Sequence, residues 1–207
     1  MQFSSPLARW NERFSSENYL FGEKPNQYLF DKTPLLKKGK ALAIADGEGR
    51  NSVWLASQGF SVDAFDFSPV AIAKAKKLAA KQHVNVNFYC NDWQSFNWTA
   101  DTYDTIAGIF FQFADPKQRT GLFEKLNLSL KPGGTLIIQG YGKEQISYQS
   151  GGPGILENLY DEELLVSSFT NYKILDIQTY LHDVNEGPGH SGLSALVGYI
   201  GQKPNQA

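Results

Sequence analysis

A single cysteine, Cys90, stands among 207 residues, so no disulfide can close within this chain and oxidation does nothing to hold it together. A basic surplus is also missing. Nineteen Lys and Arg against 21 Asp and Glu leave a net charge of −2, which argues against a nucleic-acid partner held by a broad basic surface. No apolar run approaches the ~20 residues needed to cross a bilayer. The opening Met1-Gln-Phe-Ser-Ser-Pro6 has neither the basic nor the apolar region of a signal peptide. Three dispersed histidines and one cysteine give no metal-ligand spacing, so no metal is expected. A nucleophile elbow and a lysine-bearing phosphate loop are absent too. These absences leave a cytoplasmic protein with no membrane partner, whose oligomeric state the sequence does not state. With 42% hydrophobic and 19% charged residues, 1–207 reads as one globular domain.

Aromatic residues are plentiful, with four Trp, ten Tyr and fourteen Phe. A bulky core explains most of them; an aromatic-lined pocket for a flat or cationic ligand is the other reading. Residues 1–34 interleave Trp10, Arg13, Phe14, Tyr19, Phe21, Tyr28 and Phe30 with Ser, Asn and Glu. This stretch is either a lid or a segment that packs on the domain, with a short helix from Asn26 to Phe30.

Further along, the apolar pattern alternates between periods. Strands are expected at 41–45, 60–66, 84–89, 104–111, 135–141, 172–184 and 193–202. Helices are expected at 51–58, 70–82, 116–130 and 161–169, the second opened by Ser68 as a cap and Pro69 behind it. The order predicts an α/β fold: a Rossmann-like, doubly wound, mostly parallel seven-stranded sheet ending in an antiparallel hairpin. In such sheets ligands lie beyond the strand C-termini, where strand order reverses. The loops there are Asp46–Asn51, Asp66–Ser68, Asn91–Trp93 and Phe110–Asp115. Two long loops, 142–158 and 185–192, face the same end, and loops of that length are usually functional or mobile.

The residues in these loops carry chemistry. Gly47 and Gly49 form a tight turn between a strand and a helix, where unpaired backbone N–H groups and a helix dipole meet. Asp66 closes the second strand, and a carboxylate there accepts from both ribose hydroxyls; the alternative is that it caps the next helix. Asp92 can accept from an exocyclic amine while Trp93 or Phe67 covers the ring; the alternative is a solvent-exposed cap. His190 sits in a glycine-rich loop as a base, as a substrate contact or as a surface residue.

Gly47-Glu-Gly-Arg-Asn51 with Leu55-Ala56, Phe65-Asp-Phe-Ser-Pro69, Asn91-Asp92, Tyr103-Asp104 and Leu130-Lys-Pro-Gly-Gly134 resemble class I S-adenosylmethionine-dependent methyltransferases. Within them, Trp10-Asn-Glu-Arg13, Tyr19-Leu-Phe-Gly22, Gly151-Gly-Pro153 and Glu186-Gly-x-x-His190-x-Gly192 are similar to the tellurite-resistance and thiopurine-type branch. The resemblance implies S-adenosylmethionine as cofactor, with Gly47 and Gly49 at its methionine part, Asp66 at its ribose and Asp92 at its adenine. It implies Arg13 on the methionine carboxylate, with Glu48, Asn51, Phe67, Ser68, Asn91, Trp93 and Phe110 around the same site. The family motif has an acid and a glycine where this chain has Ala43 and Ala45, so either Asp46 supplies the missing charge or backbone carbonyls hold the cofactor's amino group. Tyr141, Gln149 and the Gly151–Gly154 loop are expected to line the acceptor side, with Tyr19 and Phe21 closing over it.

The function expected is methyl transfer to a small-molecule acceptor, a thiol or a chalcogen oxyanion. The alternatives are a non-catalytic cofactor-binding regulator and an NAD(P)-dependent reductase. The reductase would call for a third glycine where Asn51 or Ser52 stands.

Overall fold

Seven strands lie in one sheet in the order β3-β2-β1-β4-β5-β7-β6. The computed structural model describes residues 5–148 and 150–205. The strands are β1 Lys40–Ile44, β2 Ser61–Asp66, β3 Val86–Cys90, β4 Tyr103–Ile109, β5 Leu130–Tyr141, β6 Lys173–Asn185 and β7 Ser191–Gln202. The first five run parallel; β7 inserts antiparallel between β5 and β6. The helices are α1 Pro6–Arg13, α2 Gln27–Lys32, α3 Arg50–Ser57, α4 Pro69–Lys81, α5 Pro116–Ser129 and α6 Glu162–Ser168. This is the fold class read from the sequence, and the strand order reverses between β1 and β4 as that class requires.

Burial on both faces explains the near-continuous apolar run of β4. Tyr103 and Ile106 point into the layer built by α5 and α6, with Leu122, Phe123, Leu126 and Leu165. Ala107 and Ile109 point the other way, toward Leu29, Leu36 and Leu55. Val53 of α3 meets Leu78 and Ala79 of α4 beside that second layer.

Several elements differ from the expected ones. Helix α1 was not anticipated, although Ser5 caps it through the Ala8 N–H and Pro6 stands at its first position, the same signal that opens α4. Strand β5 starts at Leu130 because that residue pairs with Tyr103 before the Lys131–Gly134 turn. The 185–192 loop shrinks to a turn at 186–190, since β6 and β7 pair out to Asn185 and Ser191. Two 3-10 turns, Lys143–Ser147 and Leu156–Asn158, occupy the stretch read as an irregular loop. No described helix is long and apolar enough to cross a membrane.

Candidate active site

The crevice at the C-termini of β1 and β4 is flanked by two residues in the left-handed region, Ala45 (φ 46°) and Phe110 (φ 54°). Each such residue costs about 1–2 kcal/mol and persists only where its surroundings impose it. Ala45 therefore takes the glycine conformation at the position where the resembled motif has glycine. Gly47 and Gly49 follow with φ 59° and 90°. A side chain on Gly49 would meet Ala75 of α4 at 2.7 Å, so this glycine lets the two helices approach. A side chain on Gly47 would point at the ring of Phe14, which covers the turn.

Both acids at the turn are engaged, Asp66 buried and Asp46 half-buried. Asp66 accepts from Gly47 N–H and Ser68 N–H, both at 2.9 Å. Burial lifts its carboxyl to about 6 against those two N–H groups. Asp46 accepts from the Ser52 N–H at 3.2 Å and the Ser52 hydroxyl at 2.5 Å, and burial lifts it to about 7. Ser68 caps α4 and donates to Asn11 Oδ1 of α1 at 2.7 Å. Glu48 and Asn51 reach the N-terminal segment rather than the crevice. Glu48 pairs with Lys74 and accepts the Leu20 N–H at 2.7 Å, while Asn51 Oδ1 accepts the Asn26 N–H at 3.0 Å.

After β3, Asp92 caps its own turn through the N–H groups of Ser95 (2.7 Å) and Gln94 (3.0 Å), which hold its carboxyl below the usual carboxylate range. Asn91 leans on Ser95 in the same turn, and Trp93 packs toward Gly121 of α5. Phe67 offers its carbonyl to the Cys90 thiol. The capping alternative for Asp92 is thus present in full.

The acceptor-side expectations gather around one imidazole. His190, 8% exposed, lies with its ring centroid 4.3 Å from Phe21, 4.4 Å from Phe110 and 5.8 Å from Tyr141. The Arg13 guanidinium stacks over Trp10 at 4.5 Å and faces Phe21 at 5.9 Å. Tyr141 is buried, its hydroxyl packed by Gly151 and without a partner among the described residues. Burial raises that phenol, and the nearby Glu186 adds to it. Tyr19 needs correcting: it packs with Val53, Leu78 and Ala79, and its hydroxyl donates to the Lys74 carbonyl, so it anchors the segment to α4. Gln149 lies outside the described residues.

Residues 41–134 match a family model for the methyltransferase domain. The match runs from β1 to the Lys131–Gly134 turn and so takes in every loop on the cofactor side of the crevice. It supports the S-adenosylmethionine expected from the sequence. Outside it lie the two ends of the chain, which supply Arg13, Phe21, Tyr141 and His190.

Solved structures with the same fold include TehB from Haemophilus influenzae, at 16% identity and a TM-score of 0.70, over 94% of this chain and 65% of that one. A SAM-dependent methyltransferase from Methanosarcina mazei matches at 20% identity and TM-score 0.66, over 88% and 100%. The N-methyltransferase NodS from Bradyrhizobium japonicum WM9 matches at 16% and 0.67, over 98% and 99%. At these identities the likeness is one of fold.

The residues fit the expected cofactor at the turn. Gly47 and Gly49 keep the backbone free of side chains there, and Asp66 fixes the turn by holding Gly47 N–H. Arg50, Asn26, Leu20 and Glu186 were given no role in the sequence, although Glu186 stands in a motif quoted with His190. Glu186 and His190 are four residues apart across a turn, and that pairing of a carboxylate with an imidazole was the available signal.

Proposed function

We propose that this protein transfers a methyl group from S-adenosylmethionine to a small-molecule acceptor, a thiol or a chalcogen oxyanion, in the cytoplasm. The observation that carries this reading is the juxtaposition at one crevice of the Gly47–Gly49 turn and Asp66 with a ring cluster in which Phe21 and Phe110 flank the buried Tyr141 and His190. When bound, the cofactor supplies an activated methyl group; the protein supplies alignment and a dry environment. Gly47, Gly49 and Asp66 would hold it, Arg13 would meet its carboxylate, and the N-terminal segment, 1–34, would act as a lid.

Burial keeps the His190 imidazole on its neutral side, where it can take a proton. The aromatic walls exclude water from the reacting atoms. Calorimetry with S-adenosylmethionine and S-adenosylhomocysteine tests the reading: binding is expected, and no heat at millimolar ligand would overturn it. Fluorescence titration with NADH is expected to show no binding, and a dinucleotide complex would favour the reductase.

A second reading, cofactor binding without methyl transfer, is favoured by Ala43 and Ala45 and by Phe14 covering Gly47. Binding with no turnover across thiol, selenite, tellurite and phenol acceptors would establish it.

A further inference from the structure

One carboxylate ties together pieces of chain that are far apart in sequence and meet only at this crevice. Glu186 opens the β6–β7 turn. Its Oε1 accepts from Asn26 Nδ2 at 2.9 Å and from Gln27 N–H at 3.1 Å, both at the start of α2. Its Oε2 lies 2.7 Å from Arg50 Nη2, at the first residue of α3, and 3.9 Å from His190 Nδ1. The turn itself is closed by Glu186 N–H donating to the His190 carbonyl at 2.9 Å. Next to it, Gly189 N–H donates to the Leu20 carbonyl at 2.9 Å, while Leu20 N–H goes to Glu48 beside the glycine turn. The N-terminal segment is therefore pinned between the cofactor turn and the hairpin that carries His190.

The charges around the imidazole come from four elements. Glu186 faces it from its own turn, Arg50 from α3, Arg13 from α1 and the Tyr141 phenol from β5. Burial and the two guanidinium groups disfavour a positive ring; Glu186 alone favours one. The Nδ1 atom is buried without a hydrogen-bond partner among the described residues, with Glu186 Oε2 the acceptor in front of it. At 3.9 Å the pair is a charge contact, which favours a proton on the ring nitrogen that faces the carboxylate.

Resting on the methyl-transfer reading, we propose that Glu186 is a positioning residue: it holds the His190 proton on Nδ1 while the N-terminal segment is closed, so that the site serves a protic acceptor, a thiol or a phenol. With Nδ1 protonated, the lone pair sits on Nε2. The acceptor's proton passes to Nε2, the bonding pair stays on its sulfur or oxygen as the nucleophile, and the imidazolium so formed is stabilised by Glu186. Closure matters because Asn26 and Gln27 hold Oε1; when the segment leaves, the carboxylate keeps only Arg50 of α3, on Oε2, and loses the two donors that fix its plane toward His190.

Histidine ring NMR on the full chain, labelled with 15N at histidine and with no ligand added, tests this. In the wild type the resonance lost in His190→Gln should be that of an Nδ1-protonated tautomer. Glu186→Gln removes the carboxylate. Asn26→Asp keeps the α2 cap, since Asp caps as well as Asn, but puts a second carboxylate where a donor faced Glu186. Both are expected to move the His190 resonance toward averaged tautomers, with His83 and His182 unmoved and far-UV circular dichroism unchanged. A His190 ring with its proton on Nε2, or one indifferent to both substitutions, would overturn the positioning role. Turnover is the second arm. Glu186→Gln should lower kcat for a thiol or phenol at least tenfold at pH 7, with recovery as the acceptor ionises unaided at higher pH. Turnover confined to selenite or tellurite would overturn the acceptor class. Because the NMR arm uses no ligand, its failure is distinct from failure to bind S-adenosylmethionine, which calorimetry decides.

Discussion

Asp46 was one candidate for the charge missing at Ala43, yet both its oxygens turn to Ser52. That makes it first a clamp on the start of α3. Its burial has a consequence for stability. A carboxyl lifted from 3.8 in the unfolded chain to about 7 in the fold holds its proton longer when folded, so its contribution falls as pH rises from about 4 to about 7. Asp46→Asn keeps an oxygen for Ser52 and removes the titration. The difference in urea stability between variant and wild type is therefore expected to grow over that window, by more than about 1 kcal/mol, in the variant's favour. A flat difference would mean that the carboxylate is ionised without penalty. Ala45, one residue earlier, was legible as a departure from the family motif, but its strain was not, since only coordinates show φ 46°. Ala45→Val should destabilise by about 1–3 kcal/mol, because a branched side chain in the left-handed region is disfavoured further; thermal unfolding measures it.

Between elements, two glycines do different work. Gly49 sits where α4 crosses the turn, and a methyl there would strike Ala75 Cβ at 2.7 Å and Cα at 2.9 Å. Gly49→Ala should cost at least about 2 kcal/mol of global stability through overpacking and the φ of 90°. Gly187 instead faces the backbone of the N-terminal segment, with Gly22 N at 2.6 Å and Leu20 O at 2.7 Å from where its Cβ would stand. Gly187→Ala should push the segment off the hairpin, speeding amide exchange at 14–27 while leaving exchange in β1 and β4 as in the wild type. The strands and the class of sheet were legible because period and strand length are local signals; the spatial order of the strands came only with the structure. The pairing of Glu186 with Asn26 and Arg50 was not, because contacts between residues 160 positions apart leave no trace in spacing. Tyr19 was misplaced for a related reason. An aromatic in a polar stretch says that it packs, not whether it packs on α4 or over the acceptor.

At the scale of the whole molecule, the residues that match the methyltransferase-domain family, 41–134, leave out Phe21, Tyr141 and His190, which the chain's two ends bring together. Leu20 joins those ends, giving its N–H to Glu48 of the turn and its carbonyl to Gly189 of the hairpin. Phe14, 3% exposed, fills the space above Gly47. A ligand entering beside Gly47 therefore has to move or recruit this segment, so binding and segment order are thermodynamically linked. Hydrogen-exchange mass spectrometry with and without saturating S-adenosylhomocysteine separates the two readings that the sequence left open for residues 1–34. A lid should gain protection at 14–27 and at 186–190 in step with 41–50 and 61–68, because the ligand, the segment and the hairpin tip close as one body. A segment that only packs on the domain would show protection confined to the loops after β1 and β2, with 14–27 exchanging at the same rate in both states.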